Sequence, residues 1–186
     1  FSVYQALCER PFACVGESAG GNLVLAAMLR AKMAGFPLPH AMALLSPWCD
    51  LDMSSDSQMF NDGRDPSLKI QESKTAARLY AGDHDITNPD ISPINGSYDS
   101  AFPPCLITTG TRDLLLSLSV RLSRCLRESG VEVDLQVWDV PVQRRFFVYF
   151  VNRWRMRELT VQGINGTNDA DAKTSIKAEM DQLATQ

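Results

Sequence analysis

The sequence predicts an α/β fold built on a mostly parallel sheet with flanking helices, and three observations carry the prediction. Four short apolar runs, Phe12–Val15, Ala41–Leu45, Cys105–Thr109 and Val133–Trp138, have the length and composition of buried strands. Segments with helical periodicity lie between or after them. Glycines stand where two of those helices should stop. Alternation of strand and helix implies parallel strands joined by right-handed crossovers.

The first run leads into a helix from Asn22 to Ala34 that is apolar on nearly every side, with Gly35 placed to cap it. Such a helix belongs between layers rather than on the surface. The second run is followed by a long excursion. Residues 52–104 are rich in Asp, Ser, Pro and Gly, with one helical patch from Leu68 to Leu79. An excursion of that length inside a compact α/β unit predicts a cap or a binding-loop assembly. After the third run, Leu115, Leu118, Leu122, Cys125 and Leu126 keep an i, i+3, i+4 rhythm in a helix from Leu114 to Ser129, and Gly130 closes it before the last strand. Phe147, Phe150, Val151 and Trp154 repeat the pattern once more. The result is one domain over residues 1–158, with 52–104 inserted in it. A polar tail over 159–186 is weakly helical from Ala172 to Leu183.

Composition narrows the function classes. The chain of 186 residues is 45% apolar and carries a net charge of −4, which gives no whole-chain attraction to nucleic acid or an anionic membrane. Five arginines between Arg144 and Arg157, interleaved with aromatics at helical spacing, predict the wet face of a helix rather than a nucleic-acid patch. Without an apolar run of about 18 residues, no membrane span is expected. Five cysteines (Cys8, Cys14, Cys49, Cys105 and Cys125) are widely spaced and form no CxxC pair. They predict reduced core thiols, a cytoplasmic location and no metal centre, and no motif calls for a cofactor. The sequons at Asn95 and Asn165 bear only on a secreted protein. The chain opens on Phe1 rather than methionine, within residues that read as helix, so further residues upstream are expected.

The chemistry concentrates in one stretch. Gly16-Glu17-Ser18-Ala19-Gly20 is a GxSxG sequence lying where the first strand ends and the helix begins, the setting of a nucleophile elbow. Flanking glycines allow a sharp turn that presents the Ser18 hydroxyl over the strand ends. The Ala19 N–H, at the helix N-terminus, is placed to bind a developing oxyanion. The simpler alternative is that Ser18 only caps the helix.

A serine hydroxyl needs a base, and the base needs an orienting acid. Asp113, just beyond the third strand in "LITTGTRDLL", lies where a carboxylate would share the edge of Ser18. It also suits an N-cap of the following helix, and both roles are compatible. The histidines, His40 and His84, both precede Asp113. His40 enters the second strand at the opposite edge and reads as structural; His84 reads as a loop residue. No histidine follows Asp113.

These stretches together resemble the hormone-sensitive-lipase-like branch of the α/β-hydrolases, a family of carboxylesterases and lipases. "GESAGGNL" resembles its nucleophile elbow, and "LLSPWCDLDMSSDS" its segment after the next strand. "DGRDPSL" and "YAGDHDITNPDISP" resemble its cap-side region. "PPCLITTGTRDLLLS" resembles its acid-bearing strand, and "LRESGVEVDLQVWD" the run leading to its histidine. The likeness covers about residues 1–147. It implies the later part of an α/β-hydrolase fold without the N-terminal strands, with Ser18 as nucleophile, Asp113 as acid and Ala19 as one oxyanion amide. It also implies a small acyl ester, or another hydrophobic ligand, as partner.

The family pattern after the last core strand is Trp-acidic-x-x-x-His-x-x-Phe. Trp138, Asp139 and Phe146 keep that register, and Gln143 occupies the histidine position. The family's His-Gly-Gly loop, which adds oxyanion amides, is not among these residues. An amide cannot accept a proton near neutral pH. Loss of the triad histidine costs on the order of 10⁶ in turnover in a well-studied serine hydrolase, so near-inertness toward esters is expected. Three readings follow. The segment after Asp139 is a misread coding stretch of an esterase; or the chain is a pseudohydrolase that binds without chemistry; or it is a piece without independent function.

Overall fold

A computed structural model of the chain describes residues 2–8 and 11–139. A short helix α1 (Ser2–Leu7) precedes strand β1 (Ala13–Glu17), helix α2 (Ala19–Met33) and strand β2 (Ala41–Leu45). Helices α3 (Asp56–Phe60) and α4 (Ile70–Ala81) and a 3₁₀ turn (Pro93–Asn95) follow. Strand β3 (Cys105–Gly110), helix α5 (Leu116–Glu128) and strand β4 (Val133–Trp138) complete the described order. Gln143, the segment from Phe147 to Trp154, Asn165 and the tail from residue 159 lie outside the described residues, as does the boundary at 158.

The four strands pair in parallel in the order β1-β2-β3-β4. Ala13 pairs with Ala41, Met42 with Cys105, and Cys105 with Val133. Only the middle two strands are buried along nearly their whole length. Met42–Leu45 are buried, as are Cys105 and Ile107–Gly110, which is what covering both faces of a parallel sheet requires. The expectation of four buried strands therefore holds for the middle pair and only in part at the flanks. Val15 in β1 is 48% exposed, and β4 is only partly buried along its length. These two lie at the ends of the described strand order, where a strand has one neighbour rather than two.

Helices α2 and α5 supply much of the remaining core. Leu25, Met28 and Leu29 of α2 pack with Leu118, Leu122 and Leu126 of α5, around Leu44 and Ile107 of the central strands. Both helices end in the same way. The amide of Gly35 bonds to the Lys32 carbonyl and that of Phe36 to Ala31. Gly130 and Val131 bond likewise to Arg127 and Leu126. These are two Schellman closures with Gly at positive φ, at the glycines that the sequence marked.

The excursion between β2 and β3 is ordered by long-range polar contacts. Asn22, buried in α2, donates to the carbonyls of Trp48 (3.0 Å) and Ile91 (2.8 Å). The Leu51 amide donates to Ser92 Oγ at 2.9 Å. A small apolar cluster of Leu51, Ala77, Ala81 and Ile91 seats α4. Among the described residues, no helix is long and apolar enough to cross a membrane.

Candidate active site

The C-terminal ends of the four strands form one edge, laced strand to strand. The Ser18 amide bonds to the Leu45 carbonyl, the Ser46 amide to Thr108, and the Thr111 amide to Trp138, at 2.9, 2.7 and 2.9 Å. The edge thus carries Ser18, Ser46, the turn with Asp113, and the exit from β4. His40 sits at the other edge, its amide bonded to the Phe12 carbonyl, and is exposed. His84 is an exposed residue in the turn after α4.

Ser18 stands between β1 and α2 with φ 52° and ψ −119°, and its side chain makes no capping hydrogen bond. The simple cap reading is therefore set aside. Holding a non-glycine residue there costs on the order of 1–3 kcal/mol. The turn is tied from behind, because the Ser18 carbonyl accepts the amides of Gly21 (3.0 Å), Asn22 (3.4 Å) and Trp48 (3.0 Å). The three glycines nearby have different duties. A Cβ on Gly16 would lie 2.5 Å from the Gly20 carbonyl oxygen, so β1 and the first turn of α2 meet backbone to backbone. A Cβ on Gly21 would come within 2.9 Å of Pro47 Cβ. A Cβ on Gly20 would meet nothing within 4 Å. The steric need assigned to Gly20 from the motif thus falls on Gly16 and Gly21. Glu17 ends β1 with an exposed side chain, and Ala19 opens α2.

Asp113 is 5% exposed. One carboxyl oxygen accepts the Leu115 amide at 2.8 Å and the other the Thr109 hydroxyl at 3.0 Å. It therefore supports the start of α5 and is fixed from two sides. Burial raises its pKa above the ordinary carboxylate value. The Ser46 hydroxyl, the Leu115 amide and the Thr109 hydroxyl pull the other way, while the nearby Asp65 charge pushes it further up. Ser46 Oγ is buried without a well-aligned hydrogen bond, yet lies near enough to favour the ionised form.

A raised acid pKa has a definite sign in stability. Below the unfolded value of 3.8, Asp113 is protonated folded or unfolded. As pH rises from there through the folded value, the unfolded chain ionises first, and stability falls. Asp113→Asn, which keeps the shape and the Leu115 contact and can donate to the Thr109 hydroxyl in place of accepting from it, is expected to melt a few degrees higher than the parent at pH 7. The difference should vanish below about pH 3.8. Melting curves across pH check this; an unchanged or lower Tm at pH 7 contradicts it.

Strand order sets the spacing of the two groups. β2 lies between β1 and β3, so Ser18 and Asp113 rise from strands about 10 Å apart. They cannot share a hydrogen bond directly. Gln143, which the sequence pattern sets at the base position, lies outside the described residues. Asp139, after β4, is exposed and accepts the Thr111 hydroxyl at 3.0 Å.

The residues missed by sequence reasoning belong to the excursion. Ser57, Asn61 and Asp65 all bond to the turn that carries Asp113. A groove of about 550 Å³ lined by Asn61, Gly63, Arg64, Thr111 and Arg112 marks the same junction, and Ser18 does not line it. Burial lifts the Cys105 thiol to about 12 and that of Cys49 higher still, which makes both poor nucleophiles.

A family model of the alpha/beta hydrolase fold matches residues 4–142. An esterase of Acinetobacter venetianus is 32% identical over 145 residues, which cover 74% of this chain and 47% of that protein. An acetyl-hydrolase of Streptomyces hygroscopicus is 31% identical over 123 residues, 66% of this chain and 41% of that one. Among solved structures, esterase E25 superposes with a TM-score of 0.70 at 38% identity, covering 75% of this chain and 44% of that chain. An esterase from the bacterial hormone-sensitive lipase family gives 0.67 at 36%, covering 70% and 44%. The chain spans less than half the length of these relatives. Strand order, the elbow between β1 and α2, and these likenesses agree: the chain belongs to the α/β-hydrolase fold family, on its hormone-sensitive-lipase-like branch.

Proposed function

We propose that this chain carries the nucleophile and the acid of a serine carboxylesterase for short acyl esters, Ser18 and Asp113, with Gln143 at the position of the base. The observation that carries the reading is the strained Ser18 turn on the same sheet edge as a buried, doubly held Asp113. In the reaction, Ser18 Oγ attacks the ester carbonyl while a base takes its proton. The Ala19 amide faces the developing oxyanion, and the proton passes to the leaving alcohol. Water then repeats the sequence on the acyl-enzyme. Asp113 orients the base and stabilises its charged form. Gln143 can hold a hydrogen bond in that place but cannot take the proton.

The test is covalent labelling with a fluorophosphonate and hydrolysis of p-nitrophenyl acetate, in the parent chain and in Gln143→His. Slow or absent labelling in the parent and Ser18-dependent labelling in Gln143→His support the reading. No labelling in Gln143→His, with the protein folded, overturns it. Gln143 itself favours a second reading, a pseudohydrolase that binds a hydrophobic acyl ligand without chemistry. That reading predicts saturable binding of the ester with no acyl-enzyme burst, and labelling of the parent at ordinary rates sinks it.

A further inference from the structure

Two amides in a row open the turn between β3 and α5, and each goes to a different carboxylate. The Leu115 amide goes to Asp113 Oδ1 at 2.8 Å, whereas the Leu114 amide goes to Asp65 Oδ2 at 2.9 Å. Asp65 is itself held, since its other oxygen accepts the amides of Ser67 (2.8 Å) and Leu68 (2.9 Å). Its neighbours grip the same turn. Asn61 Nδ2 donates to the carbonyls of Thr111 (3.2 Å) and Asp113 (3.0 Å). Ser57 Oγ donates to the Leu114 carbonyl at 2.7 Å and accepts the Ser117 amide at 2.9 Å.

We propose that Asp65 is a positioning residue for Asp113: by occupying the Leu114 amide, it leaves the Asp113 carboxylate to the Leu115 amide and the Thr109 hydroxyl. Leu114 is fully buried, so its amide must find an acceptor within the protein. Without Asp65 the nearest carboxylate on the chain is Asp113, one residue back. A carboxylate drawn to its own following amide turns away from Thr109 and from the edge where Ser18 stands. The excursion therefore aims the acid as well as covering the sheet. This inference rests on Asp113 being the acid, but its test reads the carboxylate and needs no turnover.

The experiment is NMR of the full chain, with the Asp113 side-chain carboxyl resonance assigned through Asp113→Asn. Asp65→Ala is expected to shift that resonance and to speed exchange of the Leu115 amide by about tenfold or more, with the strand amides of β3 unchanged. Asp65→Asn has one acceptor oxygen for the three amides that Asp65 serves, so it should restore Leu115 protection only in part. It also removes a charge that adds to the upward push of burial on Asp113, so the Asp113 titration midpoint should fall through charge alone. An Asp113 carboxyl resonance and a Leu115 exchange rate unmoved in Asp65→Ala, with only Tm lowered, would overturn the proposal and leave Asp65 a structural staple. Should Asp65→Ala fail to fold, Leu115 exchange in Asp65→Asn decides: faster exchange than in the parent supports the proposal and an equal rate overturns it. An inert Gln143→His would count against the esterase reading and leave this result standing.

Discussion

Gln143→His is expected to raise Ser18-dependent hydrolysis of p-nitrophenyl acetate by several orders of magnitude. The scale is the roughly 10⁶-fold loss that follows removal of the histidine from a complete triad. Three circumstances favour recovery over a dead graft. Ser18 is already held in the elbow conformation, Asp113 is already fixed by two hydrogen bonds, and the spacing from Trp138 to Phe146 is kept in the sequence. Each oxyanion donor that a site lacks lowers the absolute rate by about 10²–10³ without removing the contrast between the two proteins. Supplying the part of the Acinetobacter relative that this chain does not match is expected to raise the rate of Gln143→His and leave the parent low. The measurement is steady-state hydrolysis with Ser18→Ala as the zero. A gain below about tenfold, with the variant folded, counts against the assignment.

The two glycines of the GxSxG sequence are expected to answer alanine with opposite signs. Gly16→Ala sets a methyl 2.5 Å from the Gly20 carbonyl oxygen and 2.7 Å from the Gly21 nitrogen. All the atoms it meets are backbone, and they belong to the turn that shapes the elbow. Relief requires β1 and α2 to part, so the cost should reach or exceed the upper end of ordinary overpacking, about 3 kcal/mol. Gly20→Ala meets open space within a helix and should gain about 0.5–1 kcal/mol from the stiffer chain. Urea unfolding of the two variants separates these outcomes. Equal destabilisation by both would mean that the close approach at Gly16 does not set the elbow.

Much of this was open to reading in the sequence, and the remainder was closed for a physical reason. Strand runs, the helix after Ser18, the helix after Asp113 and both helix-ending glycines announce themselves locally, through period and punctuation. The places of Ser18 and Asp113 at strand–helix junctions were legible because each lies in a stretch with a recognisable spelling. The partners of Asp113 were not. Asn61 and Asp65 reach it across about 50 residues, and polar loop residues carry no period that points to a distant partner. The difference between Gly16 and Gly20 is likewise invisible in a symmetric motif, because it depends on which side the returning backbone passes. The flanking strands were read as buried like the middle pair because apolar composition does not say how many neighbours a strand has.

The ties from Ser57, Asn61 and Asp65 bear on how the excursion between Leu45 and Cys105 tolerates changes of length. A free surface loop absorbs insertions cheaply, since closure entropy grows only with the logarithm of its length. Here the chain is anchored at Asn61 and Asp65 to the β3–α5 turn, and at Ile91 and Ser92 to Asn22 and Leu51. The single long loop is thereby divided into short segments with fixed ends. Added residues between Gly82 and Asp85, beyond α4 and before the second anchor, fall in an exposed turn and leave these anchors in place. An added residue between Asn61 and Asp65 displaces one grip relative to the other, and the displacement passes directly to Asp113. Length variation in this branch of the family should therefore crowd into the first of these stretches and avoid the second.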